Sequence, residues 1–298
     1  MKVLLSIIAV YFIVCSCKLN PNEKESQATD LDESGKGINP AVVQWVKGYQ
    51  LQNVESVAFD PVNLVYYASC GKDYKLGTNG YISKISSTGE LLEATWIKDL
   101  NRPTGMAIRD NILYVADINR LLIIDIAKGQ VMESIPEPIP NSGLNDVAVN
   151  HKGDLFITAS FVHSIFKLEQ EHLEIFIEDD EKLKWANGIT FVGKDLIVGG
   201  AHLVKIDIAS KKIDVLILKP SIADFDGIVS DGMGGLYATT VENSALWHIN
   251  ENLEVKEMAS GGGYFGDLDY LVSQKKLSIA RGNKETNTFF IETRNTID

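Results

Sequence analysis

Residues 184–200, KWANGITFVGKDLIVGG, contain the pattern that decides the fold. Their apolar residues form two short strand-like runs, and the residues 193–195 between them favour a tight turn. Asn187 does not fit this pattern, because an amide has a low β-propensity and stands here at the start of a good strand. Such an exception is informative if it recurs along the chain.

The arrangement recurs six times, at intervals of about forty residues. Each copy starts with a residue that suits a strand poorly, continues into a short apolar strand, turns, and enters a second apolar strand. The six starting residues are Glu55, Thr104, Asn145, Asn187, Asp226 and Gly266. A repeat of about forty residues built from short strands is typical of a β-propeller blade. The sequence therefore predicts an all-β fold, a six-bladed β-propeller with four-stranded blades.

The two ends of this repeat region are expected to complete one blade. The sixth repeat runs out of chain after residues 288–293, which leaves its blade one strand short. Residues 42–48, VVQWVKG, resemble a strand without a local partner. We expect residues 42–48 to pair beside 288–293 as the outer strand of the last blade, so that no sheet edge stays open.

Residues 1–17 have the pattern of an export signal. A lysine precedes an apolar run that is too short to cross a bilayer, and the segment ends in CSC. This ending resembles the lipobox of bacterial lipoproteins, with a plain secretory signal as the alternative. We expect lipidation at Cys17, a flexible polar tether over 18–40, and the propeller over 41–298 of an exported, membrane-anchored lipoprotein.

Charge and cysteine content restrict the partners. The net charge is −12, and no basic tract interrupts it, which argues against nucleic acid as a partner. The chain has three cysteines. With one lost in the signal and Cys17 lipidated, Cys70 has no partner for an intrachain disulfide. We expect a monomer whose partners are a small-molecule substrate and, through the lipid, the membrane.

The six starting residues should form a ring around one mouth of the central channel, because the first strand of each blade is the innermost. Those that carry a side-chain carbonyl or carboxylate oxygen are Glu55, Asn145, Asn187 and Asp226. Converging carboxylates without Lys or Arg in the ring would repel each other, and a hard cation relieves the repulsion. Turns and caps explain any one of these residues alone, but their recurrence favours a site. We expect Ca²⁺ as the ion bound at this site, with Mg²⁺, Mn²⁺ and Zn²⁺ as alternatives.

Four motifs closely resemble the regucalcin/gluconolactonase family of six-bladed propellers. They are VESVAFDP with Glu55, GLNDVAVNHKGDLF with Asn145, WANGITF with Asn187 and FDGIVSDGMGGLYAT with Asp226. The resemblance implies that Glu55, Asn187 and Asp226 hold one divalent metal ion and that Asn145, beside the metal, contacts the substrate or metal-bound water. It further implies metal-dependent hydrolysis of lactones or related esters, with Asp226 as the proton acceptor.

Other features depart from that family. Its sugar lactonases often carry, two residues before Asn145, an arginine that grips substrate hydroxyls, whereas this chain has Gly143. The motif around Glu55 lacks the usual EGP form. Residues 102–117, RPTGMAIRDNILYVAD, are also similar to NHL-type propellers, many of which only bind partners. A non-catalytic propeller that binds a protein, a glycan or a small ligand is therefore the alternative.

Further residues are expected to contact the substrate. The loops between second and third strands should rise at the mouth that carries the ring, and they include His163 and His202. Trp185 precedes Asn187 by two residues, and Thr104 belongs to the ring itself. We expect these side chains to shape the pocket, although loop packing explains each of them singly.

The predicted anchor can be tested with Cys17→Ala. Loss of acylation should move the protein from the membrane fraction to the aqueous phase, because the lipid chains supply the membrane affinity. Detergent phase partitioning after expression in a bacterial host measures this. Cys15→Ala is the control, since residue 15 falls within the cleaved signal. A Cys17→Ala protein that partitions like the wild type would contradict the prediction.

Overall fold

The structure, a computed structural model, describes residues 42–45 and 51–296. These residues form twenty-four β-strands and two short 3-10 turns, η1 (Ser160–Val162) and η2 (Val272–Gln274). Among them, no helix combines the length and the apolar character needed to cross a membrane. The predicted signal segment and tether lie outside the described residues.

The strands form six four-stranded antiparallel sheets, each of which is one blade. Blade 1 consists of β2 (Ser56–Asp60), β3 (Val65–Cys70), β4 (Gly80–Ser86) and β5 (Leu91–Leu100). Blade 2 consists of β6 (Pro103–Arg109), β7 (Ile112–Asp117), β8 (Arg120–Asp125) and β9 (Gln130–Pro136). Blade 3 consists of β10 (Leu144–Val149), β11 (Leu155–Ala159), β12 (Ser164–Glu169) and β13 (His172–Glu178).

The second half of the ring repeats this plan. Blade 4 consists of β14 (Ile189–Val192), β15 (Asp195–Val198), β16 (Val204–Asp207) and β17 (Lys212–Val215). Blade 5 consists of β18 (Phe225–Ser230), β19 (Leu236–Thr240), β20 (Ala245–Ile249) and β21 (Val255–Ser260). Blade 6 consists of β22 (Tyr264–Leu271), β23 (Lys276–Asn283), β24 (Thr288–Asn295) and β1 (Val42–Trp45). The predicted six-bladed all-β propeller is confirmed.

Blade 6 closes the ring in the predicted way. Strand β1 pairs antiparallel with β24, with Val42 opposite Arg294 and Trp45 opposite Ile291. Residues 46–48 of the predicted strand lie outside the described residues. The first strand of each blade contacts the first strands of the blades on either side, which places these six strands around the central channel.

The core lies between neighbouring blades. One cluster joins Tyr67 and Ile82 of blade 1 to Leu113 and Val115 of blade 2, and five further clusters fill the ring. Inner strands are covered on both faces, so β2 is buried at every residue. Burial decreases outwards, and most of β9 is exposed. The short continuous apolar runs of the sequence are the consequence of this packing.

Four of the six residues that fit a strand poorly coincide with β-bulges, whereas Glu55 precedes β2, whose pairing with β3 is regular. Register shifts interrupt the pairing of β6, β10, β18 and β22 with their second strands. The residues inside these shifts are Thr104 and Gly105, Asn145 and Asp146, Asp226 and Gly227, and Gly266 and Asp267. Asn187 and Gly188 sit just before β14 and bond to Gly199 instead. A bulge re-aims a side chain and tolerates residues that suit a regular strand poorly.

The second residue of two bulges is an aspartate that joins neighbouring blades. Asp146 in blade 3 accepts hydrogen bonds from its neighbour Val147 N at 2.7 Å and from Ile189 N of blade 4 at 3.0 Å. On its other side stands Gly105 of blade 2, where a Cβ would lie only 2.0 Å from Asp146 Oδ1. Burial raises the pKa of Asp146 to about 7, against the lowering effect of its two amide donors.

Asp267 in blade 6 makes the equivalent connection on the opposite side of the ring. Ser56 Oγ of blade 1 donates to Asp267 Oδ2 at 2.5 Å, and Asp267 N donates to Glu55 O at 2.9 Å. A Cβ on Gly227 of blade 5 would lie 2.4 Å from Asp267 Oδ1. Each aspartate therefore fits against a glycine of the preceding blade and bonds to the following one.

Gly105→Ala tests this arrangement. The added Cβ would overlap Asp146 Oδ1, so the variant should lose about 3 kcal/mol in free energy of unfolding, as overpacked cores do. Chemical denaturation measures the loss. Gly77→Ala is the matched control, because the atom nearest to its added Cβ, Asn79 Nδ2, is 3.4 Å away. Equal stability of the two variants would contradict the proposed fit.

Candidate active site

A cavity of about 690 Å³ lies at the mouth of the channel where the first strands begin. Three of the predicted site residues, Glu55, Asn187 and Asp226, line it together with Gly266. Other lining residues contribute charge, an amide or aromatic surface: Asn53, Lys72, Tyr74, Arg102, Tyr264, Lys284 and Glu285. Asn187 and Asp226 lie 132 or more residues after Glu55 in the sequence, yet all three proposed metal ligands line the same cavity.

Asn187 is held directly against Asp226. Its Nδ2 donates to Asp226 Oδ1 at 2.9 Å. The backbone of blades 4 and 5 meets at the same point, where Gly188 N donates to Asp226 O at 2.7 Å. A Cβ on Gly188 would lie 2.3 Å from that oxygen. The NG pair is therefore required, since only glycine lets the blades approach closely enough for the side-chain bond.

Ionisation of the Asp226 carboxyl group is unfavourable in this environment. Burial raises its pKa well above the ordinary value, and the carboxylates of Glu55 and Asp267 raise it further. The hydrogen bond from Asn187 opposes these effects. A cation close to Asp226 would offset the unfavourable desolvation of its carboxylate.

Arg102 corrects one expectation about the ring. The ring position itself carries no Lys or Arg, but Arg102 reaches one of the carboxylates from outside it: its Nη2 donates to Glu55 Oε2 at 2.6 Å and to Asn53 O at 2.9 Å. The guanidinium is almost fully buried. Arg102 lies two residues before Thr104, at the register position that Asn53 and Tyr264 hold in their own blades. Side chains at this offset also line the cavity, so the ring alignment extended upstream would have found it.

Glu55, Asn187 and Asp226 offer the donor atoms of a divalent-cation site. Two carboxylates and one amide are the oxygen donors that Ca²⁺ and Mg²⁺ prefer. Within residues 42–45 and 51–296, no group of three or more His, Cys, Asp or Glu could hold a metal ion. The predicted ligand set contains two residues of these types, Glu55 and Asp226, and takes its third oxygen donor from the amide of Asn187. Glu55 and Asp226 each have one oxygen bonded, to Arg102 and Asn187. The residues therefore fit a hard cation, with a site charge reduced by Arg102.

Asn145 and Thr104 make local contacts. Asn145 Nδ2 donates to Ser160 Oγ at 3.1 Å, and Ser160 Oγ donates onward to Ala186 O at 2.6 Å. The Thr104 side chain is buried, and its hydroxyl donates to the carbonyl oxygens of Ala116 and Leu144. Neither residue belongs to the lining of the large cavity. Both stand at the expected register position but bond to the blades around them.

Trp185 and His163 form a pair beside the mouth. Trp185 N donates to His163 Nδ1 at 3.2 Å, and the two rings meet edge to face at 5.5 Å. Half of Trp185 remains exposed. His202, the other histidine predicted in these loops, is exposed between β15 and β16. The structure thus brings Trp185 and His163 together and leaves His202 apart from the contacts described for them.

Two tyrosines of the cavity were not predicted. Tyr264 OH donates to Val54 O at 2.8 Å, which fixes its ring in the cavity wall. Tyr74 comes from the loop between β3 and β4, and burial of its hydroxyl raises its pKa, with the carboxylates of Glu55 and Asp226 adding to the effect. The sequence held one signal for Tyr74. The first interval, from Glu55 to Thr104, exceeds all the others, which indicates an inserted loop in blade 1.

No family model matches this sequence, and no curated protein matches it. Solved structures share its fold. A candidate gluconolactonase is 14% identical, with a TM-score of 0.65 over 86% of this chain and 92% of its own. A gluconolactonase of Xanthomonas campestris is 15% identical, with a TM-score of 0.59 over 82% and 87%. A catalytically inactive virginiamycin B lyase of Staphylococcus aureus, with quinupristin, is 13% identical, with a TM-score of 0.60 over 86% and 99%.

These likenesses establish the fold. At 13–15% identity they show a shared propeller and say nothing by themselves of the reaction. The resemblance to gluconolactonases, inferred from four short motifs, is confirmed at the level of structure. What the chain does must be argued from its own side chains.

The Arg102–Glu55 pair can be measured by a double-mutant cycle. Arg102→Met leaves a partly buried carboxylate unpaired and should lower the free energy of unfolding by about 2 kcal/mol. Adding Glu55→Gln should restore part of this loss, because the two residues interact directly. Lys212→Met is the control, since the side chains of Lys212 and its partner Asp214 are both accessible to solvent and surface pairs contribute about 0–1 kcal/mol. Strict additivity of the Arg102 and Glu55 variants would contradict the pairing.

Proposed function

We propose that this protein is a metal-dependent hydrolase of lactones or related esters, exported and anchored to a bacterial membrane by a lipid on Cys17. One observation carries the enzymatic part: Glu55, Asn187 and Asp226, from three different blades, line one cavity at the channel mouth. Their oxygen donors suit a hard divalent cation, and we place Ca²⁺ first because it accepts irregular oxygen coordination, with Mg²⁺, Mn²⁺ and Zn²⁺ as alternatives. Gluconolactonase neighbours of the same fold support this reading.

In this proposal the three residues hold the cation and Asp226 handles the proton. A bound cation would polarise the substrate carbonyl and lower the pKa of water. Asn187 donates one hydrogen bond to Asp226 Oδ1, and the remaining lone pairs of this carboxylate would hold the cation and accept the proton of the attacking water. The new bond joins the water oxygen to the acyl carbon, the ring C–O bond breaks, and the proton passes to the departing alkoxide. The product is a hydroxy acid.

Arg102 and Tyr264 support this arrangement. The guanidinium fixes one oxygen of Glu55, which leaves the other oxygen for the cation. Tyr264, anchored on Val54 O, forms part of the cavity wall. An aromatic wall lowers the local polarity, which strengthens electrostatic interactions inside a site. Each residue therefore acts on position and environment and takes no proton itself.

The Arg102–Glu55 pair also favours the second candidate, a propeller that binds a protein, a glycan or a small ligand without catalysis. A guanidinium already neutralises one of the two carboxylates. This lowers the attraction of the ring for a cation. Metal content and hydrolysis decide between the two candidates.

Asp226→Ala is the decisive variant. It removes a ligand and the proton acceptor together, so it should abolish Ca²⁺ binding and lower lactone hydrolysis by at least about 10²-fold. Calorimetry with Ca²⁺, Mg²⁺, Mn²⁺ and Zn²⁺ measures binding, and a pH-indicator assay on a lactone panel, with and without chelator, measures hydrolysis. Ca²⁺ should also raise the melting temperature of the wild type by mass action.

Asp224→Asn is the matched control, because residue 224 is an exposed carboxylate two positions away. It should keep wild-type binding and hydrolysis. Unchanged Ca²⁺ affinity of Asp226→Ala would refute the metal site. A metal-loaded wild type that hydrolyses no lactone or ester would refute the enzyme and favour the binding protein.

A further inference from the structure

Three aromatic side chains form an exposed surface at the mouth, here called the aromatic shelf: Tyr74, Phe161 and Trp185. They come from the loops of blades 1, 3 and 4, and they remain 42%, 49% and 52% exposed. Their rings meet edge to face, Tyr74 to Phe161 at 6.1 Å and Phe161 to Trp185 at 6.3 Å. Contiguous exposed apolar surface of this kind is typical of a binding site.

The shelf is continuous with the candidate active site. Tyr74 lines the cavity together with Glu55 and Asp226. Its hydroxyl lies close enough to these carboxylates for both to influence its titration. A small molecule whose ester group reaches Asp226 would therefore extend over Tyr74 onto Phe161. The shelf and the cavity can bind two parts of one ligand.

The ring of Phe161 fills the space beside Gly143. Gly143 lies under its ring: a Cβ there would be 2.7 Å from Phe161 Cδ2, and the backbone has φ +65°, a conformation that favours glycine. At position 143 this chain departs from the resembled sugar lactonases, which often carry an arginine there for substrate hydroxyls. In this chain no side chain fits at 143 unless the ring moves. An apolar surface has replaced a hydrogen-bonding one.

The shelf is also held in place before any ligand binds. Phe161 belongs to η1, and its backbone N donates to Ser142 O at 3.0 Å. Trp185 is fixed through its backbone hydrogen bond to His163 and the edge contact of their rings. Surfaces that are ordered in advance lose less conformational entropy on binding. Exposed aromatic rings with this support are suited to recognition.

We propose that the aromatic shelf binds an aryl or other flat apolar substituent of the substrate, so that the substrate is an apolar lactone or ester and not a polyhydroxylated sugar lactone. This inference rests on the proposed function for the reacting group. Burial of apolar surface on the three rings favours such a substituent. Sugar hydroxyls placed there would lose water without gaining hydrogen bonds.

A binding experiment tests the shelf without any hydrolysis. The probes are γ-phenyl-γ-butyrolactam and unsubstituted 2-pyrrolidinone, two stable lactams with the same ring, titrated calorimetrically into the full-length protein with Ca²⁺ present. The phenyl lactam should bind at least about tenfold more tightly, which corresponds to about 1.4 kcal/mol. Phe161→Ala and Trp185→Ala should remove most of this difference. Ile175→Ala, on the outer strand of blade 3 and 46% exposed, should keep it.

A hydrolysis experiment separates this inference from the proposed function. The substrates are γ-phenyl- and γ-methyl-γ-butyrolactone, and the phenyl compound should have the lower KM. Tight phenyl-lactam binding that depends on Phe161, without hydrolysis of either lactone, would support the shelf and refute the enzyme. Hydrolysis without any preference for phenyl in KM or in lactam affinity would overturn the shelf. A change in oligomeric state for Phe161→Ala, with lactam affinity unchanged, would also overturn it by showing a protein interface.

Discussion

The site depends on how six twisted sheets are held around one channel. Each bulge at the start of a first strand frees backbone groups that need partners. Asp146 and Asp267 supply acceptors at opposite sides of the ring and bond to the following blades. Their fit against Gly105 and Gly227 sets the distance between blades. The fold accepts the unfavourable burial of two carboxylates because the connections fix where the neighbouring ring residues point.

The electrostatics of the mouth follow from this geometry. Two carboxylates, Glu55 and Asp226, face one guanidinium, Arg102, within a largely buried setting. The two carboxylates differ in environment: Glu55 pairs with the charged Arg102, whereas the Asp226 carboxylate accepts from the neutral amide of Asn187. Unequal surroundings allow chemically similar groups to take different roles. Under the proposed function, Glu55 is a fixed ligand and Asp226 is both ligand and proton acceptor.

Much of this could be predicted from sequence, and the failures have physical causes. The period of forty residues, the ring position and the closure by β1 follow from local patterns that repeat six times. Arg102 was missed because its partner Glu55 belongs to the neighbouring blade, and only the approach of two sheets makes them meet. Tyr74 lies in an insertion that has no counterpart in the other repeats. Gly143 was noticed, but its cause, the ring of Phe161, follows it by eighteen residues and becomes evident only in three dimensions.

The closure of blade 6 also determines how the domain would respond to mechanical load. Strand β1 directly follows the chain segment predicted to be the tether, and four residue pairs attach it to β24. A pull from an anchored N-terminus would therefore act first on the outermost strand of a single blade, along its length. Within blade 6, the inner strand β22 lies three strands away from this load. The strand that would bear tension is thus separated from the strand of the same blade that borders the channel by β24 and β23.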